Sequence, residues 1–424
     1  MANDPVTVAV IGAGNRGAQV YAQHLKRLEP AVRVVAVADP DEERRENFRA
    51  EHSIHPDLAF SDWQELLSRD RLADAVVIAT PDLLHVDPAV AALEKDYHLL
   101  LEKPIAPTPE GIAEIARAAE TSRGTVTVAH VLRYSELFYT IKRLLDEGRL
   151  GDLVSVQHTE NIGYWHFAHS YVRGNWRRED TSSPMILAKA CHDLDLLRWL
   201  VGSPCESVAS YGNLFHFRRE NAPEGSTERC TDGCAVEREC PFSAIRIYLE
   251  RFEGRPAFPG SLVVPPPMPD FVRQQLETGP YGRCVYRSDN DVVDHQVVSM
   301  RFAGGVTANL TVSAFTEDNT RTVHLMGTHG EIRAHMGEGE IELNDFRAGR
   351  QELIRVTPSG QGHSGADEAL VRDFVARLRG EVTGPGLTSL AASVESHEMA
   401  FAAEQSRKTE RTVPLRPLPL GSFA

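Results

Sequence analysis

Hydrophobic and polar positions follow two rhythms in the first third of the chain. Short apolar runs, the first rich in β-branched residues, read as strands: Val6–Ile11, Val32–Ala38, Asp74–Thr80, His98–Glu102 and Thr125–Val131. Between them, Ala18–Glu29, Asp41–His52, Val86–Lys95 and Pro109–Thr121 place apolar residues at helical spacing. Strands alternating with helices imply βαβ units, and right-handed crossovers wind these into a doubly wound parallel sheet covered on both faces.

The rhythm changes after about residue 134. Ser135–Glu147 reads as a helix and Gly151–Ile162 as a long strand. Pro184–Val201 is amphipathic and helical, ending at Gly202. Further strands are predicted at Ser207–Phe217, Val292–Phe302, Val306–Ala314, Thr322–Met326, Glu331–His335 and Glu340–Asp345. Many are joined by short turns, which favours a large, mainly antiparallel open sheet. Two late helices, Gly365–Arg379 and Leu387–Arg407, would cover one face. The expectation is an α/β chain in two parts: residues 1–134 around the parallel sheet, and an α+β domain over 135–424 for substrate binding and oligomerisation. A Cys- and Pro-rich insertion occupies about 218–286, and the tail from Pro414 reads as a surface strap.

A chain of 424 residues is long enough for two or three domains, and 42% hydrophobic with 25% charged residues is ordinary for a globular protein. The net charge of −15, without a basic block, argues against nucleic acid and against an anionic membrane surface as partners. No apolar run reaches membrane-spanning length. The N-terminal text places Asp4 where a secretory signal would be basic, so a cytoplasmic location is expected.

Gly12-Ala13-Gly14-Asn15-Arg16-Gly17 fits G-x-G-x-x-G between a predicted strand and a helix. The first glycine allows the turn, the second lets backbone approach a pyrophosphate, and the third permits close helix–strand packing. Asp39 ends the second strand, where a carboxylate accepts from a ribose diol. A 2′-phosphate would be repelled there unless an arginine intervened, and the next residue is Pro40. A Rossmann domain binding NAD, with NADP disfavoured, is therefore expected. At Glu102-Lys103-Pro104 a strand ends in a charged pair, and Pro104 restrains Lys103 to extended backbone at the carboxyl end of the sheet.

The segments VAVIGAGNRG, VADPDEER, VVIATPDLLH, LLLEKPIA and CHDLDLLRWLVG occur in an order that resembles the Gfo/Idh/MocA family of NAD(P)-dependent oxidoreductases. The resemblance covers residues 6–134 well and 135–346 in outline. It implies that Lys103 is catalytic or orients the reacting hydroxyl. It also implies that Thr80, Asp82 and His85 line the nicotinamide ribose side and that Glu102 lies near the cofactor. The family's helix motif Asp-x-Gly-x-His-x-x-Asp falls on Ala188, Ala190, His192 and Asp195, so His192 and Asp195 match while the first Asp and the Gly do not. Lys189 stands beside the replaced Asp. His192 is the candidate base for the hydroxyl proton, and Asp195, at i+3, shares its helix face.

Asn161–Arg178 is dense in polar aromatics and donors. His166, His169, Arg173 and Trp176 there, with His130, Arg133, Tyr134, Lys189 and Asp195, are candidate substrate contacts. Cys230, Cys234 and Cys240 give C-x3-C-x5-C. Three thiolates need a fourth ligand for closed zinc, which Cys284, Cys205 or His216 can supply; buried free thiols are the reading preferred, with no metal assigned. The expected activity is oxidation of a secondary hydroxyl of a sugar, sugar derivative or cyclitol by NAD. The alternatives are a glycosidase that oxidises, eliminates, hydrates and re-reduces, with catalytic NAD, and a non-catalytic NAD-sensing regulator. An apolar outer face on the C-terminal sheet would give a homodimer or homotetramer.

Overall fold

The computed structural model describes residues 4–251, 259, 269–357 and 365–415. Six strands build the first sheet: β1 (Val6–Ile11), β2 (Val32–Ala38), β3 (Ala59–Phe60), β4 (Ala75–Ile78), β5 (His98–Leu101) and β6 (Val126–Val128). All pairs are parallel and the order is β3-β2-β1-β4-β5-β6. The order reverses between β1 and β4, and ligands of such sheets bind at the carboxyl ends beside that reversal. The strands are covered on both faces, so they are mainly apolar: all four residues of β4 are apolar and inaccessible.

The second sheet has nine strands: β7 (Leu153–Gly163), β8 (Cys205–Asn213), β9 (His295–Phe302), β10 (Thr307–Thr316), β11 (Thr320–Gly327), β12 (Gly330–His335), β13 (Glu340–Asp345), β14 (Arg350–Arg355) and β15 (Val413–Pro414). Only β7–β10 pair in parallel; the other neighbours are antiparallel. Alternation is strict in β9, where Gln296, Val298, Met300 and Phe302 point inward. The outer face differs from the apolar surface expected: it presents Gln157, Ser299, Asn309, Thr311 and His324, with Val297 and Tyr211 among the exposed apolar side chains. Hydroxyl and amide side chains suit a solvated pleat, so this face gives no hydrophobic argument for a second subunit.

The last helix, Leu390–Thr409, joins the two halves. Leu390 and Val394 belong to the core under the parallel sheet, and Met399 and Ala400 to the core under the nine-stranded sheet. Thr388 and Ser389, just before it, pair with β6 and cover that edge. Beyond Leu415 the predicted strap lies outside the described residues. So do 252–258 and 260–268 of the insertion.

One predicted helix is broken. Pro184–Val201 forms Met185–Ala188 and Cys191–Val201, with Lys189 and Ala190 turning between them. A continuous helix would engage the Ala188 carbonyl with the amide four residues on. The break leaves it available to a side chain.

Candidate active site

Gly12 leaves β1 with φ +94°, and a Cβ there would lie 2.6 Å from the Ala79 carbonyl oxygen. A Cβ on Gly17 would lie 1.9 Å from Gly12 O, whereas one on Gly14 would meet nothing within 4 Å. The outer two glycines close the turn, and the middle one faces open space that a pyrophosphate can approach. Asp39 is buried at the end of β2 and accepts from Ala13 N at 2.7 Å, which locks the carboxylate to the loop. Glycine cradle and carboxylate together fit NAD.

One neighbour of Asp39 was not foreseen. The helix starting at Glu42 brings Arg44 Nη2 to within 3.1 Å of Asp39 Oδ1, and Arg45 Nη1 donates to Asp39 O at 2.8 Å. The arginine thought absent is therefore present, four or more residues past Pro40. It is engaged with the carboxylate that would meet a ribose.

Arg16 and Glu102, expected as cofactor contacts, form a brace. The Arg16 guanidinium binds Glu102, Asp367 (2.6 Å) and the Tyr21 hydroxyl (2.6 Å). Tyr21 donates to Glu102, and Glu102 Oε2 accepts from Lys103 N at 2.9 Å. Burial opposes the Glu102 charge, but Arg16 and Lys103 outweigh it and hold the carboxyl below its usual range. The glycine loop is thereby tied to the strand end that carries Lys103. Asn15 is exposed at the loop's tip.

Lys103 Nζ donates to the freed Ala188 carbonyl at 2.8 Å and lies 6.0 Å from the Trp176 ring centre. Where the resemblance places an Asp, this chain thus offers a backbone oxygen. Trp176 Nε1 donates to Asp82 Oδ1 at 3.3 Å, and Asp82 Oδ2 accepts from Ser183 at 2.9 Å and Ser182 at 3.3 Å. Asp82, Lys103, Ala188 and Trp176 therefore meet at one place, while the Thr80 hydroxyl donates to Leu84 O at 2.9 Å. His85 does not face it. Its ring nitrogens bond to Pro104 O (2.7 Å) and Thr80 O (2.9 Å), bracing the loop after β4 against the Glu-Lys-Pro turn.

His192 is buried near the start of its helix, edge-on to His130 at 5.8 Å, and His130 is edge-on to His397 at 5.4 Å. Burial, with Arg133 and Lys103 near, keeps His130 far below the usual imidazole range. Asp195 is directed elsewhere than expected. It takes a two-pronged bond from Arg133 (2.7 and 2.6 Å), which also donates to Leu387 O and Ala392 O. Both members are buried, so Arg133 and Asp195 join the helix 191–201 to the segment leading into the last helix.

Residues 6–130 match the "Oxidoreductase family, NAD-binding Rossmann fold" of Gfo/Idh/MocA proteins, and residues 142–415 match its "C-terminal alpha/beta domain". The chain belongs to the Gfo/Idh/MocA oxidoreductase family. It is 25% identical over 345 residues to a putative oxidoreductase, YteT, of Bacillus subtilis, spanning 75% of this chain and 76% of that one. It is 33% identical to an inositol 2-dehydrogenase of Streptomyces avermitilis and 27% identical to a 2,7-anhydro-N-acetylneuraminate hydratase of Escherichia coli. These two matches span 47% and 50% of this chain, and each covers 54% of the relative. In fold it resembles levoglucosan dehydrogenase solved with NADH and levoglucosan: TM-score 0.71, 18% identity, covering 98% of this chain and 100% of that one.

Within this Gfo/Idh/MocA chain, the other candidates divide. Lys189 Nζ lies 3.3 Å from Glu160 Oε1. Glu160 pairs with Arg321 at 2.5 Å, Arg321 with Asp193 at 2.7 Å, and Asp193 with His158 at 2.8 Å. Burial pushes Lys189 down and Glu160 up, against the pull of their partners. Lys189 directly follows Ala188, whose carbonyl receives Lys103 Nζ at 2.8 Å, so this buried chain adjoins the site. His166 bonds Asn319 at 2.8 Å and also feels Lys189. By contrast, His169 stacks on Tyr281 at 4.6 Å and bonds the Tyr248 hydroxyl. Burial takes it down to about 3. Arg173 donates to Arg283 O and Phe242 O, both at 2.7 Å. Tyr134 donates to Asp373 at 2.9 Å. His169, Arg173 and Tyr134 thus hold the insertion and the helix Ala366–Leu378 in place. Their polar ends face protein groups.

Glu160, Asp193, Arg321 and His397 escaped the sequence reading. A usable signal existed for Glu160: it takes an inward position in β7, between Val156 and Ile162, where an apolar residue belongs. Arg321 stands directly opposite it on β11. His397 gave no signal. Its Nδ1 donates to Ser393 O at 3.1 Å and its Nε2 accepts from Ile105 N at 2.9 Å, clamping the turn after Lys103.

Burial brings His397 down to about 3, so it stays neutral in the fold while an unfolded imidazole charges near 6.5. Between those values the unfolded chain binds the extra proton, and stability rises with pH. His397→Gln is therefore expected to flatten the pH dependence of unfolding over that window by about 1.4 kcal/mol per pH unit. Urea titrations of both proteins at neutral and mildly acid pH check this, and equal slopes would contradict it.

Proposed function

We propose that this family member oxidises a secondary hydroxyl of a sugar, sugar derivative or cyclitol, with NAD as acceptor. The observation that carries the reading is Lys103 Nζ, fixed by Ala188 O beside Trp176, on the strand end next to the glycine cradle. Gly12, Ala13, Gly14, Asn15, Gly17 and Asp39 would hold the dinucleotide, with Thr80 and Asp82 along its nicotinamide side. When bound, NAD supplies the hydride acceptor. Lys103 orients the hydroxyl oxygen and stabilises charge developing on it. His192 takes the hydroxyl proton. Lys189, held by Glu160, donates to a further substrate oxygen. The Trp176 ring offers an apolar face for sugar C–H groups. Incubation of NAD with a panel of sugars and cyclitols tests the reading: NADH accumulating in step with one substrate supports it, and silence across the panel despite NAD binding removes it.

A redox-neutral reaction is the second reading, favoured by the hydratase among the relatives. His166, kept neutral by burial, then takes the C–H proton, and the buried phenol of Tyr171, kept protonated by burial beside Glu160, gives a proton to the leaving oxygen. Glycoside cleavage that needs catalytic NAD and yields no net NADH would select this reading.

NAD is preferred over NADP because Asp39 is buried, hydrogen-bonded and already partnered by Arg44. Asp39→Ala is expected to weaken NAD by about 10–100-fold, roughly 1.4–2.8 kcal/mol, and to narrow the gap to NADP by releasing Arg44. Calorimetric titration with both cofactors checks this; unchanged preference would contradict it.

A further inference from the structure

The thiols of the insertion converge. Cys230, Cys234, Cys240 and Cys284 line one small pocket of about 20 Å³, together with Arg173, Phe242 and Tyr286. The backbone arranges this across more than fifty residues. Cys230 N donates to Gly282 O at 3.0 Å and Cys284 N donates to Glu228 O at 2.9 Å, around a bridge pairing Arg229 with Arg283. In such a pair, positions 230 and 284 leave by the same face. A tight turn carries the other two: Glu237 N donates to Cys234 O at 3.3 Å and Cys240 N to Val236 O at 3.0 Å. Of the fourth partners suggested by spacing, Cys284 is the one brought to the pocket. The Cys205 thiol lies against Arg301 O and Ser207 O, and His216 bonds the Tyr286 hydroxyl.

Charge supplies an independent argument. Arg173 is 1% exposed. Its guanidinium reaches two carbonyls and Cys230 Sγ at 3.8 Å, and among the described residues no carboxylate pairs with it. A buried cation without an anion is strongly unfavourable. Neutral thiols do not relieve it; thiolates do. The insertion also has little regular structure to hold it. Its described part contains the short turns Arg219–Asn221 and Arg246–Glu250 and the helix Pro269–Thr278, a composition that usually needs a staple.

We propose that Cys230, Cys234, Cys240 and Cys284 bind one zinc ion as a structural tetrathiolate, with Arg173 as its buried counter-ion. Each S–H loses its proton to solvent as a Zn–S bond forms, with no change of oxidation state. The centre carries two negative charges, of which Arg173 offsets one. Among the described residues no three such side chains already stand as a ligand shell, so binding draws the thiols inward.

Elemental analysis of the full chain, purified without chelators, tests this. The expected result is about one zinc per chain, sharply reduced in Cys234→Ser and in Cys284→Ser. Chelation should expose four thiols to a thiol reagent and lower the melting temperature. Should the variants fail to fold, the native protein decides alone. Zinc below roughly a tenth of an equivalent overturns the proposal, as does full zinc content in a folded Cys284→Ser protein. Iron at several equivalents with visible absorption overturns the zinc assignment in favour of a thiolate-bound cluster.

Discussion

Lys103→Ala is expected to lower turnover by about three orders of magnitude, roughly 4 kcal/mol of transition-state stabilisation, while NAD affinity falls less than tenfold. The ammonium is held by a single backbone oxygen and partly buried beside Trp176, and its three donors leave capacity for a substrate hydroxyl. The glycine loop and Asp39 keep their own hydrogen bonds without it. Lys103→Arg should not restore the rate, because a planar guanidinium cannot stand where a compact ammonium stands against Ala188 O. Steady-state kinetics with an identified substrate, beside NAD titrations, give both quantities. Turnover within tenfold of the native value would remove Lys103 from the chemistry.

The second large effect concerns stability. Asp195→Ala is expected to destabilise the fold by about 3–5 kcal/mol, because it strands the buried Arg133 guanidinium. The loss should appear as a lower urea midpoint without substrate present. Replacing both residues by apolar side chains of similar volume should recover much of it, since the pair's own net contribution is small once desolvation is counted. If Asp195 instead touched substrate, the single variant would keep its midpoint and raise KM, which would contradict the bracing role.

Much of the fold was legible because burial imposes its own pattern. The parallel strands are fully covered, so they read as apolar runs, and the glycine loop fell between strand and helix as expected. The nine-stranded sheet was visible in outline, but Arg350–Arg355 was missed. That edge strand is mostly exposed and carries no alternation to read. Continuous helical periodicity over Pro184–Val201 concealed the break at Lys189, because turning two residues does not change which side chains are apolar.

The site was legible where a motif fixes the backbone and obscure where contacts are long-range. Lys103, Asp39 and the glycines stand at strand ends that any reading would place. Whether Arg16, Arg133, Asp195, His169 or Arg173 faces ligand or protein depends on partners far away in sequence, such as Asp367 for Arg16 and Phe242 for Arg173. Residue type and spacing carry no information about those partners.

The proposed chemistry needs a nicotinamide beside the Lys103 amine. A crystal structure of the NADH complex measures this directly. The expected result is the pyrophosphate over Gly14 and the reactive ring carbon within about 5 Å of Lys103 Nζ, close enough for both to meet one hydroxyl. A dinucleotide bound with its ring far from that amine, or no density at saturating NADH, would remove Lys103 and the glycine cradle from hydride chemistry.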